Sequence, residues 1–380
     1  MEKGSYCTIL TPYFPSKNNQ YGGIFVYDQV IEMSKYLDKI DVFVTRPIFS
    51  VSRKFPFIKI IKNNSIFIDT NVLNITIREL KYLPFPKDTF LYHKSLSFSL
   101  LFYKKLFYKN TLIHTIYPLG VAANNINIKS NIVIHGSDLR YFIKNKKQKR
   151  AIVNSIAELE NTIVVSNGLK KEVIALGIDP NRIAVIENGI NINKMPYYRE
   201  PSKIFKFVFV GSLIVQKGIY ELLDSFIHLL KEYSNIELYF IGDGIEKKRL
   251  IAKSSSYINK SIFFLGSISN EEVIKELSLM ECLVLPSYQE GFGRVIIEMM
   301  SLGKPVISTY SGGPEYIINK SNGILIDSKN TNQLKSAMSR IIEDYSKYES
   351  NKIYNYIKEN YDLKNQTRKV IDLVIPSGNI

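Results

Sequence analysis

Residues 286–303 read PSYQEGFGRVIIEMMSLG and follow directly on the apolar run that begins at Cys282. Cys282–Pro286 has the length and composition of a buried strand, Glu290-Gly291-Phe292-Gly293 reads as a short loop, and a helix is expected from about Arg294. A junction of this kind brings unpaired N–H groups and the positive end of a helix to one spot, which suits a phosphate. Glycines there let the backbone approach a ligand with no Cβ between them. Glu290 on the loop and Glu298 in the helix would then offer one carboxylate at each end of that ligand. The same letters also describe a plain turn before a capped helix, with Glu298 solvated. Taken alone, the stretch leaves both readings open.

The surrounding chain repeats the alternation of strand and helix. Strands are expected at Tyr6–Thr11, Ile40–Thr45, Leu112–His114, Asn131–His135 and Thr162–Val165, then at Phe205–Val210, Ile236–Ile241, Ile262–Leu265, Cys282–Pro286 and Pro305–Thr309. Amphipathic segments such as Ile24–Leu37, Ile219–Tyr233 and Glu271–Met280 lie between them. The pattern predicts α/β architecture, two doubly wound parallel sheets that bind ligands at the carboxyl ends of their strands. Asn188–Lys203 (NGININKMPYYREPSK) is polar, holds two prolines, breaks the rhythm and is read as the linker.

A chain of 380 residues, 45% of them hydrophobic, suffices for two separate cores. Its charge is uneven: residues 1–200 hold 28 Lys+Arg against 15 Asp+Glu, and residues 201–380 hold 22 against 20. A lysine bias of genomic origin would load both halves alike, so the basic first half is read as facing a polyanion, in first place anionic lipid. No recognition-helix, zinc-finger or RNA-binding signature accompanies the charge, and nucleic acid is not expected as a partner. The opening MEKGSYCTILTPYFP lacks the pattern of a secretory signal, and no run of eighteen apolar residues occurs. Cys7 and Cys282 each sit in an apolar run and read as buried thiols of a reducing compartment. A cytoplasmic protein, peripheral on the inner face of the membrane, is expected.

The spacing Glu290-x7-Glu298 around Gly-Phe-Gly resembles the signature of glycosyltransferase family 4, retaining enzymes of the GT-B fold. Other landmarks of that family stand in order: Tyr21-Gly22-Gly23-Ile24-Phe25-Val26, His135-Gly136-Ser137-Asp138, VSNGLK from Val165, ENGIN from Glu187, FVGSLIVQKG from Phe209, IGDG from Ile241, FLGS from Phe264 and SGGPEYI from Ser311. The GGIFV and HGSDL blocks look most like bacterial enzymes of teichuronic-acid and exopolysaccharide assembly, a class that extends to capsule and lipopolysaccharide. The resemblance implies two Rossmann-like domains facing each other across a cleft. Residues 1–190 would bind the acceptor, 191–360 the nucleotide sugar, and 361–380 would pack back on the first domain.

Roles follow from the same resemblance. Amides of Gly22 and Gly23 would touch the donor diphosphate, and Lys217 would meet its charge as the bridging oxygen departs. Ser212 stands where the family often has Arg, which replaces one cationic clamp by a hydroxyl. Glu290 would hold hydroxyls of the donor sugar, the backbone of Gly291, Phe292, Gly293 and Val295 would hold sugar and phosphate oxygens, and Glu298 would accept from both ribose hydroxyls. His135 would contact the transferred sugar, with His114 and Asp138 toward the acceptor. Glu290, His135 and Lys217 form the catalytic set. No Asp-x-Asp motif and no His/Cys cluster at metal spacing is present, so neither metal nor other cofactor is expected. The implied reaction is a front-face transfer from a nucleotide-diphosphate sugar, UDP favoured, to a saccharide acceptor, lipid-linked in the membrane-facing reading.

Two other readings share the fold: a nucleotide-sugar epimerase and a catalytically silent nucleotide-sugar binder. A nicotinamide-dependent oxidoreductase is disfavoured, because the first strand leads into TPYFPSKNNQYGG rather than a tight G-x-G-x-x-G turn. Leu96–Leu112 (LSFSLLFYKKLFYKNTL) is too short and too charged to span a bilayer. It reads either as a segment lying in the headgroup plane or as a buried helix with its lysines outward. Lys144–Arg150 (KNKKQKR) is read as a solvated loop.

Overall fold

Strands buried on both faces need nearly continuous apolar runs, and such runs organise this chain around two parallel sheets. The computed structural model describes residues 5–16, 22–51, 58–60, 72–87, 89, 91–108, 110–192 and 203–375. Tyr21 of the YGGIFV block, Lys109 and residues 193–202 of the expected linker lie outside the described residues.

In the first part the strands are β1 (Tyr6–Thr11), β2 (Lys39–Pro47), β3 (Phe49–Val51), β4 (Ile58–Ile60), β5 (Ile75–Tyr82), β6 (Thr111–His114), β7 (Asn131–Ile134), β8 (Thr162–Val164) and β9 (Ile183–Val185). Helices α1 (Ile24–Met33), α2 (Leu91–Tyr103), α3 (Val121–Asn124), α4 (Ser137–Arg140), α5 (Lys146–Glu158) and α6 (Asn167–Ile174) join them. Seven strands pair in the order β5-β2-β1-β6-β7-β8-β9, all parallel, while β3 and β4 form a separate antiparallel pair.

The second part holds β10 (Phe205–Val210), β11 (Ile236–Ile241), β12 (Ile262–Gly266), β13 (Cys282–Leu285), β14 (Val306–Thr309) and β15 (Gly323–Ile326). Its helices are α7 (Ile219–Leu229), α8 (Lys247–Lys253), α9 (Asn270–Ser278), α10 (Arg294–Met300), α11 (Thr331–Glu343) and α12 (Ser350–Asn360). The order β12-β11-β10-β13-β14-β15 is again wholly parallel. A last helix, α13 (Leu363–Val374), packs on α1. The chain thus forms two compact units, residues 1–189 with 363–380, and residues 190–362.

Local chemistry explains the elements. Helix α7 buries Ile219, Leu222, Leu223, Phe226 and Leu229, a 3.6-residue stripe against a core that also holds Phe207, Phe209 and Phe240. Helix α9 starts with a capping box in which Ser269 and Glu272 satisfy each other's backbone N–H groups. Lys146–Arg150, expected in a loop, opens helix α5 instead. The Asn145 side chain accepts from the N–H groups of Lys147 and Gln148 and caps it, leaving the basic residues solvated. Both cysteines are buried free thiols.

In each sheet the strand order reverses once, between β1 and β6 and between β10 and β13. At such a reversal the connections leave to opposite faces and open a crevice at the carboxyl ends.

Candidate active site

Past β10 the chain enters a turn, Val215–Lys217, and Gly218 opens α7 at φ 68°. A Cβ on Gly218 would lie 2.0 Å from the carbonyl oxygen of Pro286, so only glycine lets this turn press against the end of β13. The contact brings together two residues far apart in sequence. Lys217 Nζ lies 2.6 Å from Glu290 Oε2, with the side chains 26% and 16% exposed. The other carboxylate oxygen of Glu290 accepts from the Gly291 N–H at 3.1 Å, and the Glu290 N–H donates to Ser311 O at 2.9 Å. An ammonium has three N–H donors, so Lys217 retains capacity for a further anion beside Glu290.

Gly293, at φ 89°, turns the chain into α10. Behind the Gly-Phe-Gly loop stands Gly313 of the SGGPEYI block, where a Cβ would fall 2.6 Å from the Cα of Phe292. Phe292 is buried, with its ring 5.9 Å from that of Tyr361. Glu298 is buried rather than solvated, and its Oε1 accepts from Arg294 Nε at 3.0 Å. Arg294 therefore serves the Glu298 carboxylate. Val295 is half-buried, and Ser212 is exposed at the end of β10.

In the first unit, Gly23 opens α1 at φ 80°, and a Cβ there would lie 2.2 Å from the Tyr13 carbonyl carbon. Gly22 precedes it in the same turn. His114 is the last residue of β6, and His135 is the first beyond β7. Their rings stack at 5.4 Å and 10°, with His114 Nδ1 3.2 Å from His135 Nε2. Phe25, in the first turn of α1, sets its edge against His135 at 4.8 Å. Burial pushes His135 down to about 4. It also pushes His114 well below the usual imidazole range, with the neighbouring ring adding to the effect. Both rings are neutral near pH 7, one donating to the other.

Asp138 is buried, with Oδ2 accepting from the Ile116 N–H at 2.9 Å and Oδ1 from those of His135 at 3.1 Å and Gly136 at 2.9 Å. Burial pushes its carboxyl up, and the backbone N–H donors pull it back. The carboxylate thus ties together the backbones that carry the two histidines. The histidines border a small cavity closed from the other side by Leu363, Gln366, Thr367 and Val370 of α13. A larger pocket of about 360 Å³, lined by Tyr13, Tyr82, Tyr92, Tyr117 and Tyr141, adjoins Asp138. Sequence reasoning missed these tyrosines, which are scattered over the first unit without a motif.

Two family profiles match adjoining stretches, Glycosyltransferase Family 4 over residues 30–194 and Glycosyl transferases group 1 over residues 193–360. The chain belongs to glycosyltransferase family 4.

This glycosyltransferase is 24% identical over 341 residues to an uncharacterised glycosyltransferase of Methanocaldococcus jannaschii, covering 83% of this chain and 82% of that one. It is 28% identical over 244 residues to TuaC of Bacillus subtilis, a glycosyltransferase assigned to teichuronic acid biosynthesis, covering 60% and 59% of the two chains. Its fold is GT-B and matches Anabaena HepE, solved in complex with UDP, at a TM-score of 0.71 and 18% identity over 98% and 99% of the chains. In the glycosyltransferase, Ser212, Lys217, Glu290, Gly291, Phe292, Gly293, Val295 and Glu298 all gather after β10 and β13 in the second unit. Gly22, Gly23, His114, His135 and Asp138 gather after β1, β6 and β7 in the first.

Proposed function

We propose that this glycosyltransferase moves a sugar from a nucleotide-diphosphate donor, a UDP-sugar in first place, to a lipid-linked saccharide in the assembly of a cell-surface polysaccharide. The transfer retains anomeric configuration and needs no metal. One observation carries the reading: Lys217 and Glu290 meet at 2.6 Å on glycine-built loops at the switch point of the second sheet. Such a pair serves both ends of a bond that breaks between sugar and phosphate. The Lys217 ammonium faces the diphosphate as it gains charge, together with loop amides. The Glu290 carboxylate accepts from sugar hydroxyls and favours positive charge at the anomeric carbon.

Glu298, held by Arg294, accepts from the ribose hydroxyls, and neutral His135 hydrogen-bonds the transferred sugar without adding charge. In the front-face route the new glycosidic bond forms on the face from which the diphosphate leaves, and a donor phosphate oxygen takes the acceptor's proton. The naming of TuaC for teichuronic acid and the UDP bound by HepE support the choice of pathway class and base.

Calorimetry with UDP, GDP and ADP, with and without chelator, tests the donor. Binding of UDP, indifferent to chelator and weakened in Lys217→Met, is the expected result, and binding of none of the three overturns the proposal. NMR of the product's anomeric proton tests retention.

A further inference from the structure

Helix α2 shows water several of its apolar side chains and buries polar ones beside its leucines. Its inner face is Tyr92, His93, Leu96, Ser97 and Leu100. His93 Nδ1 pairs with the Tyr117 hydroxyl at 3.2 Å, and the Ser97 hydroxyl bonds the carbonyls of His93 and Ala122. The outer face carries Phe98, Leu101 and Phe102, which are 62%, 51% and 74% exposed. The two phenylalanine rings pack edge to face at 5.2 Å. Beside them lies an apolar groove of about 730 Å³ walled by Leu83, Phe85, Leu91, Phe98 and Phe102. A contiguous exposed patch of this kind marks an interaction surface rather than ordinary exterior.

The charge around it has one sign. From Leu80 to Ser137 the sequence holds seven lysines against the single acid Asp88. Lys81, Lys94, Lys104 and Lys105 are exposed around the face. We infer that this face docks the enzyme on an anionic lipid bilayer. Phe98, Leu101 and Phe102 enter the boundary between headgroups and acyl chains, while the lysines meet lipid phosphates. A soluble polyanion would satisfy the lysines but leave the phenylalanines in water. A second copy of the chain would set lysine against lysine.

The inference deepens the proposed use of a lipid-linked acceptor and rests on that reading for its purpose. Tyr82 lines both the groove and the tyrosine pocket, so the pocket opens beside the docked face.

Flotation of the full chain with phosphatidylcholine vesicles, with and without phosphatidylglycerol, tests it. The wild type is expected to float only with the anionic vesicles, and Phe98→Ser/Phe102→Ser to remain at the bottom. Lys94→Ala and Lys105→Ala should each lower partitioning about fivefold, an effect that added salt mimics. UDP calorimetry on the same variants should be unchanged, which separates failure of docking from failure of the donor reading. Absence of flotation, equal flotation with neutral vesicles, or undiminished flotation of the double phenylalanine variant overturns the inference. So does a wild-type dimer that this variant converts to monomer, since a second copy would then cover the face.

Discussion

Replacing Glu298 by alanine removes half of an ion pair whose side chains are only 7% and 16% exposed. Breaking a buried pair costs about 3–5 kcal/mol, because the remaining charge stays desolvated with less counter-charge beside it. Arg294 is the more exposed partner and can relax toward water, which places the expectation at the lower end, about 3 kcal/mol. For a unit the size of residues 190–362, each kcal/mol moves the melting temperature by about 2–4 °C, so a fall of roughly 6–12 °C is expected. Differential scanning calorimetry reads it from the transition of the second unit. Arg294→Met/Glu298→Leu fills similar space without charge and should recover most of that loss. The double variant then keeps the fold while losing nucleoside-diphosphate affinity, which separates the carboxylate's structural part from its binding part. A Glu298→Ala shift below about 2 °C would show that the pair is not held away from water. A double variant as unstable as the single one would remove the ion pair as the cause.

Lys217→Met should lower kcat by roughly 10²–10³-fold, read as UDP release from the donor, with partial recovery in Lys217→Arg. Gly218→Ala forces a Cβ to 2.0 Å from Pro286 O at φ 68°, and should lower the melting temperature more than Gly177→Ala, where φ is 91° but nothing lies within 4 Å. His135 sits at about 4 against an ordinary 6.5, so the unfolded chain binds more protons between those values. The stability this burial contributes is complete above about pH 6.5 and falls as pH drops toward 4, which melting curves across that range will show. His135→Asn should flatten the slope.

The central strands were legible because burial on both faces forces long apolar runs, and those expected agree with the structure to within a few residues. Five escaped reading: β5, β9 and β15, which lie at sheet edges, and the separate β3–β4 pair. Strand β5 carries Arg78, Glu79 and Lys81, and Arg78 reaches Asp41 at 3.1 Å, so its charges disguise it. At the site, residue types and spacing pointed to Glu290, Glu298 and Lys217, but their partnerships were invisible. The Lys217–Glu290 contact joins loops after two different strands, and the His114–His135 stack depends on β6 lying beside β7. The pairing of Glu298 with Arg294 is local, four residues apart, yet it matters because that helix face is buried, which sequence left open.

The return of α13 to the first unit bears on biosynthesis. Residues 190–362 are a contiguous stretch and can close as a unit without any residue beyond 362. The first unit, although most of it is synthesised earlier, waits for its last helix. Until Leu363, Gln366, Thr367 and Val370 arrive, the cavity behind His114 and His135 stands open to water. The loops after β10 and β13 therefore depend on no residue beyond 362, whereas the dry setting of the histidine pair depends on α13. A chain cut after Asp362 would keep the second unit whole while leaving those two rings in water.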